Sequence, residues 1–219
     1  MQADTVLDES FLTAASPWNI PVRVLPVTTS SNDELLSLGE TGSPTGTLLF
    51  AERQTAGRGQ FQRVWASAQP LGLWFSLLLR LEISDTTIPA LSSFASVALV
   101  ETLDELGIRE ARIKPPNDLY LHGRKMAGIL VETRTGKHPF AVVGIGLNVN
   151  HRLEDFPPEL LKSATSLLIA SGQRFNRNHV AGVLLKALGR SEELLRDNPA
   201  ALLAVWNNLL IPDPEIRQD

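Results

Sequence analysis

The sequence contains no cysteine, which excludes a disulfide framework, thiolate metal sites and a cysteine nucleophile. That composition is compatible with a reducing compartment, and a cytoplasmic location is the expectation. No uninterrupted apolar stretch is long enough to cross a bilayer, so no membrane partner is expected. The opening residues MQADTVLDESFL carry acids and no basic start to an apolar run, unlike a signal peptide. Internal repeats and low-complexity tracts are missing as well. So is an excess of positive charge: the formal net charge is −4, which argues against general nucleic-acid binding. Four histidines (His122, His138, His151 and His179) lie apart without metal-ligand spacing, so metal ligands stay unknown. No Ser/His/Asp triad stands out.

What remains suits a folded domain. Of the 219 residues, 43% are hydrophobic, enough for one large domain or one domain with a small appendage. A globule of this size buries roughly 70% of the surface its unfolded chain exposes. The charge is uneven. Residues 51–80 hold four Arg against one Glu, and residues 109–138 hold seven Lys or Arg against three acids. Those segments carry +3 and +4 in a chain of −4, which leaves −11 elsewhere. A positive centre in acidic surroundings suits a small anionic ligand better than a duplex; a chance cluster of surface charge is the plain alternative.

Hydrophobic periodicity places the elements. Residues 1–21 read as an irregular lead-in, broken by Pro17 and Pro21. Strands are expected at 22–27, 47–53, 72–81, 111–114, 118–121, 125–133 and 140–149. Ser31 and Asn32 are expected to cap a short helix over DELLSLG, and residues 88–106 form the clearest amphipathic helix. Beyond residue 160 the chain reads as helical in three stretches, LLKSATSLLIAS, HVAGVLLKALGRSEELL and PAALLAVWNNLL, and residues 211–219 trail off as a tail. Strands and helices alternate irregularly and hairpins are evident. The fold class is therefore α/β in the α+β sense, with a mixed, largely antiparallel sheet packed by helices rather than a regular βαβ array.

Four motifs can carry chemistry. The first is QTAGRGQFQRVWAS (54–67), with Gly57 and Gly59 around Arg58, then Arg63 and Trp65. Glycines allow close backbone approach, and an arginine beside free N–H groups suits a phosphate or carboxylate. The loop is not a P-loop, because no Lys-Ser or Lys-Thr follows the glycines. A strand rather than a helix follows it, so it is no dinucleotide fingerprint either. The second motif is IKPPNDLYLHGRKMAGILVE (113–132), where Lys125 precedes small and apolar residues and can lie over an apolar pocket. The third is GIGLNVN (144–150), whose glycines mark a close approach or a bulge. The fourth is TTSSNDELL (28–36), whose hydroxyls serve either a ligand or a helix cap. Each has a plain structural reading too: a turn, a solvated hairpin tip, a bulge, a cap. Trp65 and Trp74 flank the glycine loop and could wall a planar ring, while Trp18 and Trp206 read as packing residues.

Taken together and in this order, these motifs resemble the catalytic domain of biotin–protein ligases. The resemblance covers about residues 22–170 and is weaker in the helices beyond. Lipoate ligases and octanoyl transferases share that fold, as do class II aminoacyl-tRNA synthetases. The resemblance implies ATP-dependent adenylation of biotin with Mg²⁺, then transfer of biotin to a lysine of a biotin carboxyl carrier domain. It places Ser30, Ser31, Asn32 and Gln54 near the biotin head. Gly57, Arg58, Gly59 and Gln60 cover the ligand and its phosphate, and Gly128 and Gly144 leave room for biotin. Arg63 and Trp65 order the loop on the nucleotide side, with Asn117, Asp118 and Asn148 near the nucleotide or its metal. Lys125 sits between carboxylate and α-phosphate and is the first choice for catalysis, with Arg58 beside it.

The sequence also departs from the family pattern. Gln60 stands where another arginine is usual, and Phe61-Gln62 replaces a basic-glycine pair. Losing one such cation weakens phosphate binding by about 1–3 kcal/mol if it made a charge-assisted hydrogen bond. The resemblance thus implies an adenylate held less tightly. Pro115 replaces a tryptophan. The expected organisation is a catalytic domain over 22–210, with neither an N-terminal DNA-binding domain nor a C-terminal β-barrel, and hence no repressor role. A homodimer is compatible with the family, but the sequence does not fix an oligomeric state. Two other readings stay open: a degenerate protein that binds biotin or its adenylate without efficient transfer, and a ligase or transferase for lipoate or octanoate.

Overall fold

The computed structural model describes residues 6–212. Its centre is a seven-stranded sheet in the order β1-β2-β3-β7-β6-β5-β4. The strands are β1 (Arg23–Leu25), β2 (Thr47–Ala51), β3 (Gly72–Leu79), β4 (Arg112–Lys114), β5 (Asp118–Leu121), β6 (Arg124–Arg134) and β7 (Phe140–Asn148). Only β1 and β2 run parallel; the other neighbours are antiparallel. β3 and β7 form the middle, paired from Gly72↔Asn148 to Leu79↔Ala141. Every residue of β3 is buried, which is why GLWFSLLL reads as a near-continuous apolar run, broken only by Ser76, rather than an alternating one.

Alternate residues point to opposite faces of a strand. On one face Leu73, Phe75, Leu77, Val143, Ile145 and Leu147 enter the main core. Helices α1 (Glu9–Ala15), α3 (Thr87–Glu105), α5 (Arg177–Asp197) and α6 (Pro199–Asn208) lie over this side. α3 is central. Leu91, Phe94, Ala95, Ala98, Leu99 and Leu103 are all buried in it, and each large apolar side chain contributes about 1.5–3 kcal/mol of transfer free energy. On the other face α2 (Ser31–Glu40) sets Leu35 and Leu36 against Leu49, Leu78, Phe140 and Val142, a smaller cluster.

The lead-in differs from the expectation. Asp8 caps α1 by accepting from the N–H groups of Ser10 and Phe11. α1 packs on α5, with Leu7 and Leu12 buried. A buried ion pair ties this end down: Glu52 Oε1 accepts from Leu7 N (2.6 Å), and Arg177 Nη2 lies 2.7 Å from Glu52 Oε2. Trp18 donates from Nε1 to Glu192. The expected helix over 160–171 is also different. A 3₁₀ turn spans Pro158–Leu160, then α4 (Leu167–Ser171), and between them Ala164 forms a single bridge to Lys125 of β6. The expected tail, 211–219, lies outside the described residues except for its first two positions, where Ile211 N donates to Ile113 O of edge strand β4. No helix among the described residues is long and apolar enough to cross a membrane.

Candidate functional site

Helix α2 covers only part of its face. Near its C-terminal end, a Cβ on Gly39 would come within 2.3 Å of the Phe140 ring. At its N-terminal end, a Cβ on Gly144 would come within 2.2 Å of Asn32 Oδ1. Beyond Gly144 no α-helix among the described residues lines this side, and a cavity of about 450 Å³ opens over β7, β6 and β5. That volume falls within the roughly 300–1,000 Å³ usual for small-molecule sites.

The sheet presents glycines to this cavity where the opposite face presents Ile and Leu. Gly146 lies under Trp65: a Cβ there would sit 2.5 Å from the indole. Gly128 lies beside it, 2.9 Å from the same ring by the same measure. Trp65 is held edge-on to Trp74 with centroids 6.2 Å apart, and its own Nε1 has no hydrogen-bond partner. Trp74 was expected at the wall but is fully buried behind Trp65, donating to Gln69 O. Gly144 makes room for Asn32 rather than for open space.

The lysine owes its direction to an irregularity. Along β6, Ala127, Ile129 and Val131 enter the helical core while Gly128 and Leu130 line the cavity. Regular alternation would send Lys125 into the core. Instead the β5–β6 register shifts: Leu119 pairs with Ala127, but Tyr120 pairs with Lys125. Met126 is the extra residue and is buried in the core, so Lys125 emerges on the cavity side. Bulges commonly re-aim a side chain in this way. The backbone is then locked from the third side, with Lys125 N donating to Ser163 O (2.7 Å) and Thr165 N donating to Lys125 O (2.9 Å). The ammonium lies 2.6 Å from Asp118 Oδ1 and 5.2 Å from the Trp65 ring centroid, a cation–π arrangement.

The glycine loop joins β2 to the adjacent strand β3, as expected, but it is a small hairpin rather than an open cradle. Gly59 N donates to Arg63 O (2.7 Å) and Trp65 N to Gly57 O (2.9 Å), with Arg58 opposite Val64. Its tip is a 3₁₀ turn, Gln60–Gln62, in which Phe61 adopts φ 55° and stands exposed. Gly57 does not reach the cavity. A Cβ there would meet Ser67 Oγ at 2.3 Å, so its role is to let the hairpin close.

Hydrogen bonds bind the loop to α2. Gln54 Oε1 accepts from Ser31 N (2.7 Å), and its Nε2 donates to Ser67 Oγ (3.1 Å). Ser76 Oγ lies 2.7 Å from Ser31 Oγ and donates to Asn32 Oδ1 (2.5 Å). The helix begins at Ser31, two residues earlier than the expected start at Asp33. Ser30 is its N-cap but makes no side-chain capping bond, while Ser31 and Asn32 lie inside the first turn and point at the sheet. Asn117 donates to Ile129 O and Asn148 to Thr165 O, so both amides brace cavity walls.

Fifteen of the sixteen residues singled out from sequence line this one cavity, Gly57 being the exception: Ser30, Ser31, Asn32, Gln54, Arg58, Gly59, Gln60, Arg63, Trp65, Asn117, Asp118, Lys125, Gly128, Gly144 and Asn148. Sequence reasoning missed Tyr120 and the wall formed by Phe156, Leu160, Ser163 and Ala164. No motif marks that wall; only the turn signal Pro157-Pro158 precedes it. Among the described residues no three His, Asp or Glu side chains gather as a metal cage.

The half-covered sheet, the glycine floor and a lysine aimed into the opening form a cavity of small-molecule size. The chain belongs to the biotin/lipoate A/B protein ligase family, whose profile matches residues 24–150. It is 39% identical over 173 residues to the bifunctional ligase/repressor BirA of Bacillus spizizenii, covering 78% of this chain and 52% of that protein. It is 35% identical to the biotin–[acetyl-CoA-carboxylase] ligase of Mycobacterium tuberculosis, covering 83% of this chain and 67% of that one. The chain thus spans about half the length of the Bacillus relative. The biotin protein ligase of Aquifex aeolicus, solved with biotin and ATP, superposes with a TM-score of 0.76 at 29% identity, covering 87% of this chain and 78% of that one.

Proposed function

We propose that this chain adenylates biotin with ATP and passes the biotinyl group to a lysine of a biotin carboxyl carrier domain. The observation that carries the reading is Lys125, turned by the bulge into a cavity floored by glycine and rimmed by Arg58. In the first step a biotin carboxylate oxygen attacks the α-phosphorus of ATP and pyrophosphate leaves. Two anions must approach each other, so a fixed cation between them lowers the barrier. Lys125 supplies it, and Asp118 and the Trp65 face hold the ammonium in place beforehand. In the second step the carrier amine attacks the acyl carbon, and AMP leaves with the C–O electron pair.

The other residues divide by position. Ser30 and the Ser31–Asn32–Ser76 network face the end of the cavity nearest α2, where the biotin ring head would be read by hydrogen bonds. Asn117, Asp118, Asn148, Gln60 and Arg63 line the remainder, which suits the nucleotide. Mg²⁺ is usually held by one or two carboxylates together with substrate phosphates. Asp118 is the one carboxylate among the cavity-lining residues, which fits a metal brought in with the nucleotide; bound there, the ion would supply charge neutralisation at the phosphates. Gly128 and Gly146 let an apolar chain or ring lie flat on the sheet once Trp65 yields the space.

The test is biotin-dependent ATP–pyrophosphate exchange, followed by transfer of labelled biotin to a carrier domain, using this chain. Exchange with transfer supports the reading. Biotin binding without exchange would make it a binding protein, and stronger competition by lipoate than by biotin would reassign the acid.

A further inference from the structure

Arg58 is engaged by two carboxylates that are not equivalent. Glu132, on β6, takes both ends of the guanidinium fork: Nη1 to Oε1 at 3.2 Å and Nη2 to Oε2 at 2.9 Å. The same Oε2 accepts from Asn32 Nδ2 at 2.8 Å, so Glu132 links the loop to the first turn of α2. Its side chain is 21% exposed. Asp33 makes a single contact, 2.5 Å to Nη2, from a side chain 48% exposed. Neither carboxylate lines the cavity, whereas Arg58 and Asn32 do. The trio carries −1 at the rim that an anionic ligand must pass.

We propose that Glu132 is a positioning residue that holds Arg58 and Asn32 in place, and that Asp33 is a stand-in anion which yields its Arg58 contact to the ligand's phosphate. The inference rests on the ligase reading and deepens it. A bidentate pair fixes the guanidinium plane, and Glu132 is further fixed by the Asn32 amide. A single exposed contact in water is weak and exchanges readily. When a phosphate replaces Asp33, Nη2 keeps an anionic acceptor and the rim loses a competing carboxylate. Glu132 stays and keeps the arginine from swinging into solvent on its glycine hairpin. It also fixes the Asn32 amide so that Oδ1 faces Ser76.

The two carboxylates therefore predict opposite effects on the affinity for a nonhydrolysable biotinyl-adenylate analogue, titrated against the full chain. Asp33→Asn is expected to bind it about threefold to tenfold more tightly, because a competing charge is gone. Glu132→Gln is expected to bind it about tenfold more weakly, because the charged half of the fork is lost. Biotin alone separates the Asn32 arm: Glu132→Ala weakens biotin binding more than Glu132→Gln, whose amide oxygen can still accept from Asn32. Both variants moving in the same direction for the analogue overturns the assignment. If Glu132→Gln fails to fold, Asp33→Asn still decides, since weaker binding there removes the stand-in role. Failure of the unaltered chain to bind biotin or the analogue would overturn the functional reading itself, and the inference with it.

Discussion

The two faces of the central sheet come from alternate residues of the same strands, yet they are built for different ends. On β7, Val143, Ile145 and Leu147 face the helices, while Gly144 and Gly146 face the cavity with Asn148 beside them. On β3, Leu73, Phe75 and Leu77 face one way, Trp74 and Ser76 the other. The helical face removes apolar area from water without interruption, and stability is concentrated there. The α2 face is covered for half its extent and then opens. Small residues and polar groups occupy the open half, which makes space and direction rather than packing its product.

That contrast can be broken from either side. The largest effect is expected for Lys125→Ala, on the open face: pyrophosphate exchange should fall about 10³-fold, or about 4 kcal/mol, while the melting midpoint hardly moves. A full rate in a folded variant would sink the role given to Lys125. On the helical face, Leu77→Ala empties a fully buried position and should lower unfolding free energy by about 2–5 kcal/mol. Denaturant titration measures it, and biotin affinity of the folded fraction should be retained. Loss of affinity in parallel would mean the two faces are not independent.

A smaller change sharpens the boundary between them. Gly146→Ala puts a methyl 2.5 Å from the Trp65 indole and should shift that ring, costing about 1–3 kcal/mol. Changed Trp fluorescence together with weaker biotin binding is expected; an unaltered spectrum would show that the indole does not depend on the bare floor. The smallest effect lies at the outer edge of the helical side. Hydrogen bonds from the Ser10 hydroxyl and the Phe11 N–H hold the Asp8 carboxyl below its ordinary value. A depressed folded pKa contributes stability that is present above the unfolded value and lost as pH falls through the folded one. Asp8→Asn keeps a cap, so its stability difference from the original should be greatest near neutrality and close up in acid. Hydrogen exchange of α1 across that range checks it.

The seven strands, α3, α5 and α6 were legible because their apolar spacing is long or regular. α1 was not. Its seven residues bury little beyond Leu12, and the nearby prolines carry a stronger local signal than the Asp8 cap. The stretch 160–171 has a helical composition, yet residues 163–165 are drawn into bonding with Lys125, a long-range preference that overrides local propensity. Of the sixteen site residues expected from motif order, fifteen line a single cavity. Gly57 was assigned to the ligand but serves the hairpin. The engagement of Arg58 by Glu132 and Asp33 was invisible, because those residues lie 74 and 25 positions away.

Residue types and their order along the chain therefore suffice for the family and the α+β class, and they name most of the residues that gather at the cavity. Local physics reaches that far: periodicity, glycine at close approaches, and a basic loop between strands. The aim of Lys125, the space over Gly146 and the charge state of the rim around Arg58 belong to the folded molecule alone. Each depends on a pairing between distant segments: the register slip between β5 and β6, the Trp65 hairpin laid on β7, and two carboxylates brought to one guanidinium. A one-residue shift in pairing reverses a side chain's face, and no local pattern around Lys125 records that the shift occurs.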